Sequence, residues 1–269
     1  MSEDMQSDSP IMVRFDDGVL AITINRSERK NSFTDPMVTE LAKLIEDAGE
    51  KTEVRVVHIT AMGSDFCSGF DLSERTSGTG KPTVGSIQRR MDSHVNRLIR
   101  AMRSVQKPIV VTARGWVIGL GLGIVLAADF AVVDSEATLW APFTELGFTP
   151  DSGTSWLLPE RVGAARARRL LLLSEKISGQ CAADWGMVHE ATPSEDLDKV
   201  SGKLVRQLAS AATIAIGQTK LLVHRSSTSG LEEQLSAEGW AMELSSRSAD
   251  FKENITARRD KRPPRFTGQ

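Results

Sequence analysis

The sequence predicts an α/β protein: a core in which strands stack through right-handed crossovers, followed by a helical C-terminal portion. Three observations carry this. Strand-like and helix-like segments alternate as far as Pro150. Beyond it strand signals nearly vanish, and helix patterns follow one another to the closing RRDKRPPRF. The apolar share of 40% and charged share of 25% over 269 residues are ordinary for a globular chain long enough to bury a sizeable core.

Taken in order, MVRF and VLAITIN flank Asp16-Asp17-Gly18 and read as two strands of a hairpin. Thr34, Asp35 and Pro36 cap a helix whose apolar positions Val38, Leu41, Leu44 and Ile45 fall at helical spacing. The branched residues of VRVVHIT give a buried strand. SERTSGTGKPT, from Ser73 to Thr83, reads as a mobile loop. Ile87, Met91, Val95, Leu98, Met102 and Val105 step by three and four, predicting one long amphipathic helix from Val84 to Val105. PIVVTA and FAVVD are two further strands. The expected divisions are a disordered leader over 1–10, a core over 11–195 and a helical region over 196–269.

Composition excludes several classes of function. A formal charge of -2 from interspersed signs gives no surface for nucleic acid. The longest apolar stretches, around 117–133, contain glycines and end at Asp129 and Asp134, short of the ~20 residues a membrane span needs. MSEDMQSDSP has neither the basic start nor the apolar middle of a signal peptide, so a cytoplasmic protein is expected. Cys67 and Cys181 are too few for a disulfide framework and read as small buried hydrophobes. His58, His94, His189 and His224 lack metal-ligand spacing, and no metal is expected.

GWVIGLGLG, residues 115–123, sets Gly119, Gly121 and Gly123 between the apolar run PIVV and the segment IVLAAD. A dinucleotide fingerprint needs G-x-G-x-x-G and a full crossover helix, whereas here the spacing is G-x-G-x-G and five residues separate Gly123 from Asp129. No Gly-Lys-Ser/Thr follows for a Walker loop. Two readings remain: a helix N-terminus aimed at an anion or partial negative charge, or glycines that let strand pack on helix. FCSGFDL, residues 66–72, also follows a strand and also turns at a glycine. Two such turns converging on one point are what an oxyanion hole needs, with donors about 3 Å from the oxygen that becomes negative.

SDFCSGFDL, KPIVVTARGWVIGLGLGIVLAADFAVV, LGFTPDSGTSWLLPERVG and ADWGMVHE together resemble successive signature blocks of the enoyl-CoA hydratase/isomerase, or crotonase, family. NRSERKNSF and KRPPRFTG resemble its two ends, so the likeness runs over about residues 11–268. The resemblance implies a crotonase-like spiral of ββα units with C-terminal helices that cover CoA and serve assembly, as a homotrimer or dimer of trimers. It implies an acyl-CoA thioester as substrate, with no cofactor beyond the coenzyme A of that substrate. The oxyanion donors it implies are the backbone N–H groups of Phe70 and Leu120, with Gly69, Gly119 and Gly121 shaping their turns. SGFDL, that is Ser68, Gly69, Phe70, Asp71 and Leu72, resembles the segment that meets the adenine end of CoA. Arg29, Lys30, Lys252 and Lys261 are candidates for its phosphates, solvated surface charge being the alternative for the lysines.

The sequence departs from the family's hydratases at two places. They hold water with two glutamates, whose positions here are Gly123 and Phe143. Asp151 resembles the aspartate that acts in some isomerases of the family and serves as nucleophile in a related dehalogenase. An isomerase needs only one group to take a proton from one carbon and return it to another. Burial beside Phe143, Phe148 and Trp156 would suit that role; the alternative is that Asp151 caps the helix beginning near Ser152. Glu145 is a second acid, placed on the face of Phe143 if WAPFTE is a strand. Trp116, Trp140, Phe143 and Trp156 are either an acyl pocket or core packing. The expectation is therefore an enoyl-CoA isomerase with one aspartate, against a hydratase with an unusual water site or a silent acyl-CoA binder.

Overall fold

Period-two burial of Leu20, Ile22 and Ile24 makes β2 (Val19–Ile24) one side of a hairpin with β1 (Ile11–Asp16), closed by Asp17 and Gly18 at positive φ. The structure is a computed structural model that describes residues 9–71, 73 and 83–269. Most of the leader expected over 1–10 and of the loop expected over 73–83, and Leu72 with them, lie outside the described residues.

β3 (Val56–Ala61), β4 (Ile109–Ala113), β6 (Phe130–Asp134) and β9 (Glu190–Thr192) join β2 in parallel, giving a six-stranded sheet in the order β1-β2-β3-β4-β6-β9. All five residues of β4 are buried, as a parallel strand covered on both faces requires. A smaller sheet runs β5 (Trp116–Ile118), β7 (Thr138–Trp140) and β8 (Lys176–Ser178). Isolated parallel bridges, Cys67 to Val117 and Phe33 to Phe70, extend the same layer. The chain thus repeats one step: a strand in the large sheet, a short extended piece in the small one, then a helix. β4 and β5 lead to α4 (Leu120–Ala127); β6 and β7 lead to α5 (Thr154–Leu172).

α1 (Asp35–Glu50) buries Met37, Val38, Leu41 and Ile45 against α3 (Val95–Ser104), which contributes Leu98 and Met102. Helix α6 (Gly179–Asp184) is short, and α7 (Leu197–Ala209) lays Val205 and Leu208 on Val56 and Val110 of the large sheet. α7 therefore packs on the sheet although it lies beyond residue 195. α8 (Thr213–Ser226), α9 (Leu231–Ser245) and α10 (Ala249–Arg259) complete the helical C-terminal portion. Among the described residues no helix is long and apolar enough to cross a membrane.

Three local expectations are corrected. The single helix expected over Val84 to Val105 is two, α2 (Ser86–Ser93) and α3, because His94 leaves helical geometry at φ -120 and ψ -85. β8 and β9 are three-residue strands beyond Pro150, too short for any periodicity to register. WAPFTE is not a strand: β7 stops at Trp140, and 142–148 coil into turns held by Leu146 N–H donating to Pro142 O and Phe148 N–H donating to Phe143 O.

Candidate active site

The two glycine turns meet. Cys67 N–H donates to Trp116 O and Ile118 N–H donates to Cys67 O, each at 2.9 Å, so the segments run side by side into Gly69 and Gly119. Gly69 has φ +100 and Gly119 has φ +54, conformations that side chains disfavour. A Cβ added to Gly119 would lie 3.9 Å from the Gly69 Cα. Between the turns sits the Cys67 thiol, wholly buried, which accepts Gly69 N–H at 3.2 Å. Burial pushes its pKa up to about 12, against hydrogen bonds from the Gly69 and Gly121 backbone that oppose the rise. Gly121 is required there, since a Cβ on it would come within 2.7 Å of Cys67 Cβ.

A cavity of about 600 Å³ opens on both turns. Ser68, Gly69 and Phe70 form one part of its wall, Ile118, Gly119 and Leu120 another. Leu120 is the first residue of α4, where backbone N–H groups have no acceptor within the helix and the helix dipole is positive. Both turns thus border one cavity, as a pair of main-chain donors to one oxygen would require. Trp140, Phe143, Leu146 and Phe148 supply an apolar wall, with Phe143 and Phe148 edge to face at 5.8 Å.

Asp151 also lines this cavity. Its Oδ1 accepts from Ser152 Oγ at 2.7 Å, and its carbonyl accepts from Thr154 N–H at 3.0 Å and Thr154 Oγ at 2.8 Å. The N-cap of α5 is Gly153, two residues on. Helix α2 adds a polar stretch that the sequence did not single out. Asp35 and Arg90 form an ion pair on the cavity wall, and the Arg90 guanidinium stands 5.4 Å from the Phe70 ring centre. His94 is there too, its Nδ1 2.9 Å from Arg90 O and 2.8 Å from Ser93 Oγ. Ile87, Met91 and Val95, which step through the sequence beside it, line the same cavity.

Other candidates lie elsewhere. Glu145 is exposed and off the cavity wall, because the turns after Trp140 break the alternation that would have set it beside Phe143. Trp156 is 44% exposed and stacks on Arg103 rather than beside Asp151. Trp116 packs with Trp140 and is flanked by Lys30 and Lys176, also off the wall. Asp71 is engaged by the Ser73 hydroxyl and by Arg26 at 2.8 Å, contacts that hold its carboxyl down to about 2; it braces the Phe70 turn from behind. Arg29, Lys30, Lys252 and Lys261 do not touch the cavity, Lys252 lying within α10 and Lys261 just past its end. Among the described residues no cluster of three His, Cys, Asp or Glu is placed to hold a metal ion.

The family model for enoyl-CoA hydratase/isomerase matches residues 14–269. The chain belongs to that family. Among its relatives is a 1,2-epoxyphenylacetyl-CoA isomerase of Escherichia coli K12, 34% identical over 96% of this chain and 98% of the relative. A trans-2-decenoyl-[acyl-carrier-protein] isomerase of Streptococcus mutans is 30% identical over 96% and 98%. The solved enoyl-CoA hydratase of Bacillus anthracis superposes with a TM-score of 0.89 at 26% identity, covering 97% of this chain and all of that one. The fold is thus the crotonase fold that the sequence blocks implied. The two positions that the resemblance assigned to hydratase glutamates are here Phe143 and Gly123. Phe143, 2% exposed, occupies one, and at the other a Cβ on Gly123 would strike Ser152 at 2.6 Å.

Proposed function

We propose that the protein is an acyl-CoA isomerase that shifts a double bond with one carboxylate, Asp151, and two main-chain donors, the N–H groups of Phe70 and Leu120. The observation that carries this is one cavity walled by both glycine turns and by Asp151, with Phe143 and Gly123, not acids, at the two expected glutamate positions. On a 3-enoyl thioester, the Asp151 carboxylate takes a proton from the carbon next to the carbonyl. The freed electron pair moves onto the thioester oxygen, held between the two amides. Collapse of that enolate draws the proton from the Asp151 carboxyl to the far end of the former double bond, giving the 2-enoyl thioester and restoring the carboxylate. The coenzyme A of the substrate is the one non-protein group this chemistry uses. Removal of an oxyanion donor in other enzymes costs about 3–4 kcal/mol of barrier, so the pair supplies the largest part of the rate.

The test is incubation of purified enzyme with 3-enoyl-CoA in heavy water, following 2-enoyl-CoA and deuterium uptake. Asp151→Asn is expected to lower kcat by about a hundredfold or more, the usual worth of a positioned acid-base group. Absence of product from the wild type, or an unchanged rate in Asp151→Asn, would remove the isomerase assignment. Disappearance of crotonyl-CoA by addition of water would favour a hydratase instead.

The same reading takes the protein as cytoplasmic, supported by two free cysteines, and as a homotrimer or dimer of trimers with the helices over 196–269 at its interface. Leu231, Trp240 and Met242 of the C-terminal helices are 71%, 70% and 65% exposed, apolar area that a second copy would cover. Sedimentation equilibrium at three times the chain mass or a multiple of it is expected; a monomer would refute the assembly.

A further inference from the structure

We propose that Ser152 is a positioning residue that holds the Asp151 carboxylate, and that position 123 is glycine so that Ser152 can sit where it does. The proposal rests on the isomerase reading only in taking Asp151 as the proton carrier.

Ser152 is 1% exposed, and its hydroxyl donates to Asp151 Oδ1 at 2.7 Å. Its backbone has φ +54, in the left-handed region where glycine or asparagine is the easier choice. A serine kept in that conformation carries a strain that glycine would relieve, and what serine adds is the hydroxyl. Its seat is cut to fit. A Cβ on Gly123 would lie 2.6 Å from Ser152 Cβ and 2.9 Å from Ser152 O, so any side chain there displaces the turn. Gly123 stands three residues along α4 from Leu120, the proposed oxyanion donor, and every residue of that helix is buried. The carboxylate and the donor are therefore referred to the same turn of the same rigid helix. Thr154 fixes the Asp151 backbone from the other side through its N–H and hydroxyl.

Ser152→Gly separates positioning from packing, since it relaxes the backbone and deletes only the hydroxymethyl group. The expected result is an unchanged melting temperature or a higher one, an unchanged KM for 3-enoyl-CoA, and kcat lower by about tenfold to a hundredfold, the worth of one hydrogen bond to a charged group. The acid limb of the kcat profile is expected to move to higher pH, because the lost donor favoured the ionised carboxyl. His94 and the Arg90–Asp35 pair also face this cavity and are left in place by the change. Gly123→Ala is expected to reproduce the loss of kcat by pushing Ser152 away. Wild-type kcat and an unmoved pH profile in Ser152→Gly would overturn the proposal. If the wild type turns over no 3-enoyl-CoA, the isomerase reading fails by itself. The positioning claim is then decided by carbon-13 NMR titration of labelled aspartate: an upward shift of the Asp151 carboxyl in Ser152→Gly supports it, and identical titration refutes it.

Discussion

Gly119 shows how much one residue decides. Its φ of +54 with ψ of -111 is a backbone conformation that L side chains avoid, and its N–H is already given to Trp140 O at 3.1 Å. The next residue, Leu120, opens α4 on the cavity wall. Gly119→Ala meets no close atom, since its Cβ would lie 3.9 Å from the Gly69 Cα. Its cost is therefore conformational, about 1–3 kcal/mol. A folded protein with a lower melting temperature and a kcat reduced by about tenfold or more is expected, read by calorimetry and steady-state kinetics. The residues that were legible in the sequence were those whose role is local. A glycine announces its own backbone, so both turns could be identified before any contact was known. Glu145 and Trp156 were misplaced because their positions depend on turns, at 142–148 and at Asp151 to Gly153, that carry no periodicity. His94 was hidden because the apolar stripe around it reads straight through the break it makes.

Helix α4 and its continuation join the C-terminal helices to the core through charge. Asp129, just past α4, accepts from Ile109 N–H at 2.8 Å and from Lys220 of α8 at 2.8 Å, with His224 Nε2 at 3.4 Å from its other oxygen. Burial alone would raise the Asp129 pKa, but these donors hold it below the usual carboxylate range. Lys220 is pulled down by burial, yet it donates to Met102 O and Lys107 O as well, which keeps the ammonium paired. Lys220→Met should cost about 3–5 kcal/mol in urea unfolding, because it leaves a buried carboxylate without its cation. Adding Asp129→Asn should return part of that loss; full additivity of the two changes would show that the pair is not coupled. Elements of this kind were readable as helices from their spacing, whereas the ion pair that docks them spans 91 residues and leaves no local trace.

At the scale of the whole molecule, a buried imidazole makes one contribution to the loss of stability in acid, beside the carboxylates held low by their partners. His58 on β3 is turned inward, its Nε2 2.8 Å from Thr112 Oγ, and burial lowers its pKa from 6.5 to about 4, with Asp198 opposing weakly. Between those values the unfolded chain binds a proton that the native state refuses, so stability falls as pH drops through that window and is unaffected above it. The loss is at most about 3 kcal/mol. His58→Gln should flatten unfolding free energy between pH 6.5 and 4, measured by denaturant titration at several pH values. An unchanged slope would exclude His58 as the cause.

Helix α4 has no face toward solvent: all eight residues from Leu120 to Ala127 are buried. Most helix ends fray, and groups presented there wander on the nanosecond scale. This one is walled in by Cys67 and Ser152, so its hydrogen-bonded amides, from Gly123 onward, should exchange their hydrogens with deuterated water only when the entire domain opens. The N-terminal end of the helix then inherits the stillness of the interior, and the cavity wall it forms needs no ligand to set its shape.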